Sequence, residues 1–436
     1  MPKPEFLSDW LNAAKERSSL KIQRIPLSEC DGWYMKHGRL VHRTGGFFSV
    51  CGVKLKAGQK HPWFTQSSYL DQPEIGLLGF IIRRRQTGVD WLLQAKTEPG
   101  NVRETQIAPS VQATFSNAHK LHGGQPTRFL ELFDDKNLLL SDGAHSEQGS
   151  RFLQKFNRNS IRALEVDQHL HLRDNWCWAS SDHVREALGK PYTMNTDARS
   201  VIASGPWWLL SEGRVLFNSP PLLSSYAIRP NWRIVPYAQG AFGNSPKFEV
   251  VGLDALPDHA LDDDGLRSKH GDVIAAYDVR IAGREVDHWR QPFLLDSRPV
   301  KAGIYTRLKD DRLQVFISPF KEVGFGGRTE FGPSWQSGYP KKATVKSIEQ
   351  HSVWREVIAL DQSDEGGRFM KTKARYIIRF VEDGPTNSPQ DGSWVDLSTL
   401  EMLCQRSGVT TNELRTIVSL LLSRQADDAF CSLLGT

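Results

Sequence analysis

The chain holds 436 residues, 39% hydrophobic and 24% charged, with a formal net charge of +5. Such a composition belongs to a folded globular protein, and the length exceeds the roughly 250–300 residues at which a single core stops growing, so more than one unit is expected. The longest apolar run, from Ile75 to Ile82, is closed by Arg83, Arg84 and Arg85; it falls far short of the about 20 residues a bilayer span needs, so no membrane partner is expected.

In chain order, residues 5–18 predict a helix with Phe6, Trp10, Leu11 and Ala14 on one face. Strand-like runs follow at 46–55, 76–83 and 89–95, broken by Gly, Asp and Pro turns, and helical patterns come later at 181–188 and 197–204. Residues 206–246 contain Pro206, Pro220, Pro221, Pro230, Pro236 and Pro246, six of the 23 prolines. That density predicts a connector without continuous helix or central strand, packed along its neighbours by Trp207, Trp208 and Trp232. Helices recur at 397–406 and 413–422, and 383–392 is expected to be a surface loop. Strands first and helices at the end of each half define an α+β class.

The halves also share a text. Gln106-Ile107-Ala108-Pro109-Ser110-Val111-Gln112 is echoed 224 residues later by Glu330-Phe331-Gly332-Pro333-Ser334-Trp335-Gln336. Leu27, Val53 and Trp63 reappear as Leu253, Val279 and Trp289 at 226, Ser146–Phe152 as Ser363–Phe369 at 217, Trp178 as Trp394 at 216, and Asn195 as Asn412 at 217. An offset that falls in steps is what a tandem duplication trimmed in its loops leaves behind. The expected division is a first module over 1–205, a connector over 206–246 and a second module over 247–436.

The mild charge, with no sustained basic stripe, favours a small anionic ligand over nucleic acid. Five cysteines without a CxxC pair fit a reducing compartment, and Met1-Pro2-Lys3-Pro4-Glu5 leads into no apolar signal core, so a cytoplasmic location is expected. Strand alternation puts Gln94, Lys96 and Glu98 on one face, with Ala95 behind, and Gln112, Thr114 and Ser116 on another. With Asn101, Gln106, Asn117, Glu147, Gln148, Arg151, Lys155, Asn157, Arg158 and Asn159, these are the candidate ligand-holding groups, although any one alone reads equally as a solvated strand or helix face. His119 and His122 could supply an acid; His169 and His171 alternate but lack a third ligand, so no metal site is expected.

Gln94-Ala95-Lys96-x-Glu98-Pro99-Gly100-Asn101, Pro109-x-Val111-Gln112-Ala113-Thr114-x-Ser116-Asn117, Ser146-Glu147-Gln148-Gly149-Ser150, Asn157-Arg158-Asn159 and Asn195-x-Asp197-x-Arg199 closely resemble the NDP-hexose 2,3-dehydratases of deoxysugar biosynthesis, from about residue 5 to 422. The resemblance implies a homodimer of subunits with two Nudix-hydrolase-like modules, and loss of water from an NDP-4-keto-6-deoxyhexose. Phe115-Ser116-Asn117-Ala118 departs from the family's usual Arg-Ser-Asn-Tyr. In the second half Phe320, Phe325, Glu330, Ala374 and Tyr376 stand where the first has Lys96, Asn101, Gln106, Asn157 and Asn159.

The implied reaction needs a base for the carbon 3 hydrogen, an acid for the carbon 2 hydroxyl and a donor to the carbon 4 ketone, but no cofactor. Glu98 and Glu147 are the expected bases and Lys96 the donor. Arg151, Lys155 and Arg158 are expected to hold the diphosphate, and the first half to be the working site, leaving the second a structural or auxiliary nucleotide-binding role. Diphosphate hydrolysis is disfavoured because the Glu-rich magnesium-binding helix motif of Nudix enzymes is missing from both halves. A non-catalytic sugar-nucleotide binder and a ketosugar isomerase are the alternatives.

Overall fold

Near-continuous apolar strands need cover on both faces, and this requirement organises the chain. A computed structural model describes residues 6–56, 58, 66–114, 126–213, 215–234, 247–268, 271–284, 286–295, 300–383 and 391–435. Gly76–Arg84 is buried as far as Ile82 and turns polar only at Arg83. It lies parallel to Phe156–Ala163 and antiparallel to Val89–Thr97 in a seven-stranded mixed sheet. Leu139–Ser146 and Trp176–Ser180 complete the edges, while Thr105–Ala108 and Val111–Ala113 add short pairings. A second seven-stranded sheet repeats this order in the C-terminal half: Val353–Ser363, Lys373–Asp383, Val300–Lys309, Arg312–Phe320 and Ser393–Asp396, with Trp335–Gln336 and Glu330–Gly332 as the short additions. The architecture is mixed α and β, mostly sheet.

The helices seal both sheets. Phe6–Ser18 buries Leu7, Leu11 and Ala14 against Val89–Thr97, while Trp10 Nε1 donates to the Asp174 carbonyl at 3.0 Å. The helix Thr196–Ser204 packs on Asn412–Leu421, and one apolar cluster runs through both halves, joining Leu78, Trp91 and Ile161 to Ile304, Val315, Ile378 and Ile417. Full burial of a large apolar side chain contributes about 1.5–3 kcal/mol, so this shared core welds the halves together. The helix starts match in position as well. Asn195 and Thr411 are the N-caps, accepting from the N–H of Ala198 and Leu414. By position in its helix Asn195 matches Thr411, whereas the sequence spacing paired it with Asn412, and Asp197 matches Glu413.

Strands are traded as well. Phe248–Val251 of the C-terminal half pairs with Ser49–Leu55 of the N-terminal half, and Lys21–Ile25 pairs in return with Gly271–Arg280. The proline-rich stretch holds more structure than its composition predicts: Pro220–Ala227 is a helix, because Pro220 and Pro221 occupy its first turn, where a missing N–H costs nothing. Trp207 there is fully buried, whereas Trp208 and Trp232 are exposed. Most of 383–392 lies outside the described residues.

Two loops cross between the halves. Gly100 N donates to Gly366 O, and Gly324 N to Gly149 O, both at 2.8 Å. A Cβ on Gly100 would stand 1.7 Å from the Phe369 carbonyl oxygen, and one on Gly324 2.1 Å from that of Phe152, so only glycine permits these approaches. At the crossing, Phe152 and Phe369 meet edge to face at 5.4 Å.

Candidate active site

Strand Val89–Thr97 delivers Gln94 and Lys96 to a cleft of about 740 Å³ that Gln112 and Trp176 also line. Lys96 Nζ lies 3.5 Å from Glu98 Oε1. Gln112 Nε2 donates to the same oxygen at 3.1 Å, and its own Oε1 accepts from Asn195 Nδ2 at 3.2 Å. Lys96 and Gln112 on the cleft wall thus hold the buried carboxylate of Glu98 just behind it. Thr114 sits half-buried past the end of Val111–Ala113. Ser116, Asn117, His119 and His122 lie outside the described residues.

Deeper in, Glu147 is buried and accepts from Asn157 Nδ2 at 2.5 Å and Asn412 Nδ2 at 3.4 Å. Burial raises its carboxyl above the ordinary range, against the pull of Arg368 and Arg415. Asp197 is pushed well above its usual value by burial, then by Glu147, Glu365 and Glu98. These carboxylates form one electrostatic unit. Lys155 is buried too, its ammonium donating to the Glu74 carbonyl. Burial and Arg368 bring its pKa down to about 8.

Arg368 belongs to the C-terminal half. Its Nε donates to Glu365 Oε2 at 3.1 Å, Nη1 donates to Gln72 Oε1, and the guanidinium lies 5.0 Å from the Phe152 ring. The crossing loops therefore exchange cations: Arg368 enters the N-terminal site, while Arg151 sits 5.3 Å over Phe369 and faces the C-terminal carboxylates Glu322 and Asp364.

The expected cation trio does not converge. Arg151 has crossed over, and Arg158 turns away to Asp142 at 2.6 Å and the Phe133 carbonyl at 3.2 Å; only Lys155 stays with the carboxylates. Other predicted residues join the halves instead. Gln106 Nε2 donates to Ser363 Oγ at 2.9 Å, Gln148 Nε2 donates to Asp364, and Asn101 is fully buried against Gly366. Asn159 Nδ2 instead stays within its own half, donating to Ser200 and Ser204 at 3.0 and 3.1 Å. Conversely, sequence reasoning gave no role to Asp197, Asn195, Glu365, Arg368 or Asn412. Asp197 stood inside a quoted motif, and the repeat marked Arg368 only as the echo of Arg151.

The C-terminal counterpart is filled. Phe320 stands at the position of Lys96 and packs on Tyr339 at 4.9 Å, and the Tyr339 hydroxyl donates to Glu322. Among the described residues no group of three His, Cys, Asp or Glu could hold a metal ion, and no helix is long and apolar enough to cross a membrane.

Buried carboxylates with raised pKa values beside a lysine and an open polar cleft make an acid/base site able to move protons at carbon. The chain belongs to the NDP-hexose 2,3-dehydratase family, whose pattern matches residues 5–204 and 240–421, and is a hydro-lyase of that family. Its relatives include dTDP-4-dehydro-6-deoxy-alpha-D-glucopyranose 2,3-dehydratases of Streptomyces violaceoruber, 30% identical over 94% of this chain and 95% of that protein, and Amycolatopsis orientalis, 28% identical over 96% and 90%. A solved structure of an ADP compounds hydrolase aligns with a TM-score of 0.24 at 16% identity, over 42% of this chain and 98% of its own.

Proposed function

We propose that the chain removes water from dTDP-4-keto-6-deoxyglucose or a closely related NDP-4-keto-6-deoxyhexose. The observation that carries this reading is the Lys96–Glu98 pair at 3.5 Å beside the cleft, with buried Glu147 acting on Asp197 as Glu98 does. Glu98 takes the carbon 3 proton, which the neighbouring ketone acidifies. Lys96 donates to the ketone oxygen as it gains charge, the role in which a preorganised donor is most effective. Glu147, raised by burial, gives its proton to the departing carbon 2 hydroxyl, which leaves as water. The resulting enol takes a proton at carbon 2 and becomes the 3,4-diketo-2,6-dideoxy sugar.

In deuterium oxide, with a reductant trapping the product, solvent deuterium should appear at carbon 2 and the original carbon 2 oxygen should be released. The 4-hydroxy sugar nucleotide should bind without reacting, since it has no ketone to accept the developing charge. Equal dehydration of the 4-hydroxy compound, or retention of the carbon 2 oxygen, would return the chain to a binding or isomerase role. The steps need only protein groups, so activity should survive EDTA.

The two halves read as one duplicated Nudix-like module, 1–205 and 247–436, joined by 206–246. Their identical strand order and matched crossing loops support this. A homodimer and a place in deoxysugar biosynthesis rest on the family resemblance, and a cytoplasmic location rests on five cysteines without a CxxC pair.

A further inference from the structure

We propose that the substrate's diphosphate is held by a cationic arc of Arg17, Arg128, Arg173 and Arg284, and not by Arg151, Lys155 and Arg158. All four line the same cleft as Lys96. Among the described residues the only acidic side chain on that lining is Asp174, against these four arginines and Lys96. The inference rests on the sugar-nucleotide reading and adds the place where the charged end lies.

The four arginines come from separate parts of the fold. Arg17 ends the first helix, Arg128 and Arg173 stand on the N-terminal half, and Arg284 reaches over from the C-terminal half. Each tether found is a main-chain oxygen or a ring. Arg17 Nη2 donates to Asp174 O at 3.2 Å, Arg128 Nη2 to His171 O at 2.5 Å, and Arg284 Nη1 to Thr97 O at 3.3 Å. Arg128 also lies 5.1 Å from the Phe129 ring centre and 5.8 Å from that of Trp176, and Arg284 lies 5.3 Å from that of Trp289. Among the described residues none of the four is paired with a carboxylate, so their charge is oriented without being neutralised. Guanidinium forks in this state match phosphate oxygens. The Thr97 carbonyl fixes Arg284 between Lys96 and Glu98 in sequence, so a diphosphate bound there leaves its sugar beside the acid/base pair.

The test is calorimetric titration of the full chain with thymidine diphosphate and, separately, with thymidine. Arg284→Gln and Arg128→Gln should each weaken thymidine diphosphate binding by about tenfold or more, the scale of one lost charge-assisted hydrogen bond. Thymidine binding should stay as in the parent. Arg17→Gln, on an exposed helix face, gives a smaller loss in the same direction and guards against a folding defect at the other sites. Arg355→Gln, exposed and paired with Glu382 in the C-terminal half, is the comparator and should leave both affinities unchanged. If the three cleft variants bind thymidine diphosphate as tightly as the parent, or lose thymidine equally, the arc does not hold the diphosphate. A parent that binds thymidine diphosphate with this pattern but releases no water from the 4-keto sugar overturns the dehydratase reading alone.

Discussion

Glu98→Gln and Lys96→Ala are each expected to lower turnover by about a hundredfold or more, the usual loss when an acid/base or charge-stabilising group is removed. The amide keeps the shape of Glu98, and its hydrogen bond with Gln112 can be remade by flipping, so the change isolates proton transfer. Lys96→Ala removes the cation 3.5 Å away and with it the donor to the ketone. Glu322→Gln in the C-terminal half should cost much less. There Phe320 replaces the lysine, and Tyr339 covers the carboxyl. Steady-state assays with the diketone trapped as it forms would separate the cases, and equal losses from Glu98→Gln and Glu322→Gln would show that the wrong half has been assigned.

Arg368→Met should be the most damaging change to stability, at about 3–5 kcal/mol, the cost of stranding buried charges by deleting their partner. Arg368 holds Glu365 directly and is the largest cationic influence lowering Glu147. Methionine keeps the apolar packing on Phe152 and removes only the charge. The deficit should depend on pH with a definite sign. Glu147 and Asp197 have folded-state pKa values above their ordinary ones, so their protonated forms favour the fold at low pH and that advantage is lost as pH rises through the folded values. Without Arg368 both rise further, and the deficit should be larger at pH 8 than at pH 5 in urea unfolding. A deficit equal at both would mean that shape, and not charge, is what Arg368 supplies.

The parts of this site that could be read from the sequence are those fixed by local geometry. Alternation along one strand is enough to place Lys96 with Gln94 toward a common space, and to put Glu98 next to them. The helices at 181–188 and 413–422 follow from apolar spacing. What no local rule contains is which half stands across from a given loop. Arg151 and Arg368 sit in similar stretches, Ser146–Phe152 and Ser363–Phe369, yet each lowers a carboxyl of the other half, Asp364 and Glu147, because the loops cross at Gly100 and Gly324. Gln106, Gln148 and Asn159 looked like ligand-binding groups because buried polar contacts, between the halves for the two glutamines and within the N-terminal half for Asn159, use the same side chains as a substrate site. Arg17 carried no sequence signal of its own, and only tertiary packing turns it into the cleft.

The crossing loops impose an uneven tolerance on the C-terminal half. Phe320 and Tyr339 pack together over Glu322 there, but Asn412 bonds Glu147, and Arg368, held by Glu365, acts on Glu147 and Asp197. Gly366 is under the same constraint, since a Cβ there would lie 2.2 Å from Asn101 Oδ1. That half therefore behaves as a tethered cosubunit: drift is permitted where it faces itself and forbidden where it faces its neighbour. An N-terminal fragment made alone would carry Glu147 and Asp197 without their guanidinium, so its site would have to wait for the other half to arrive.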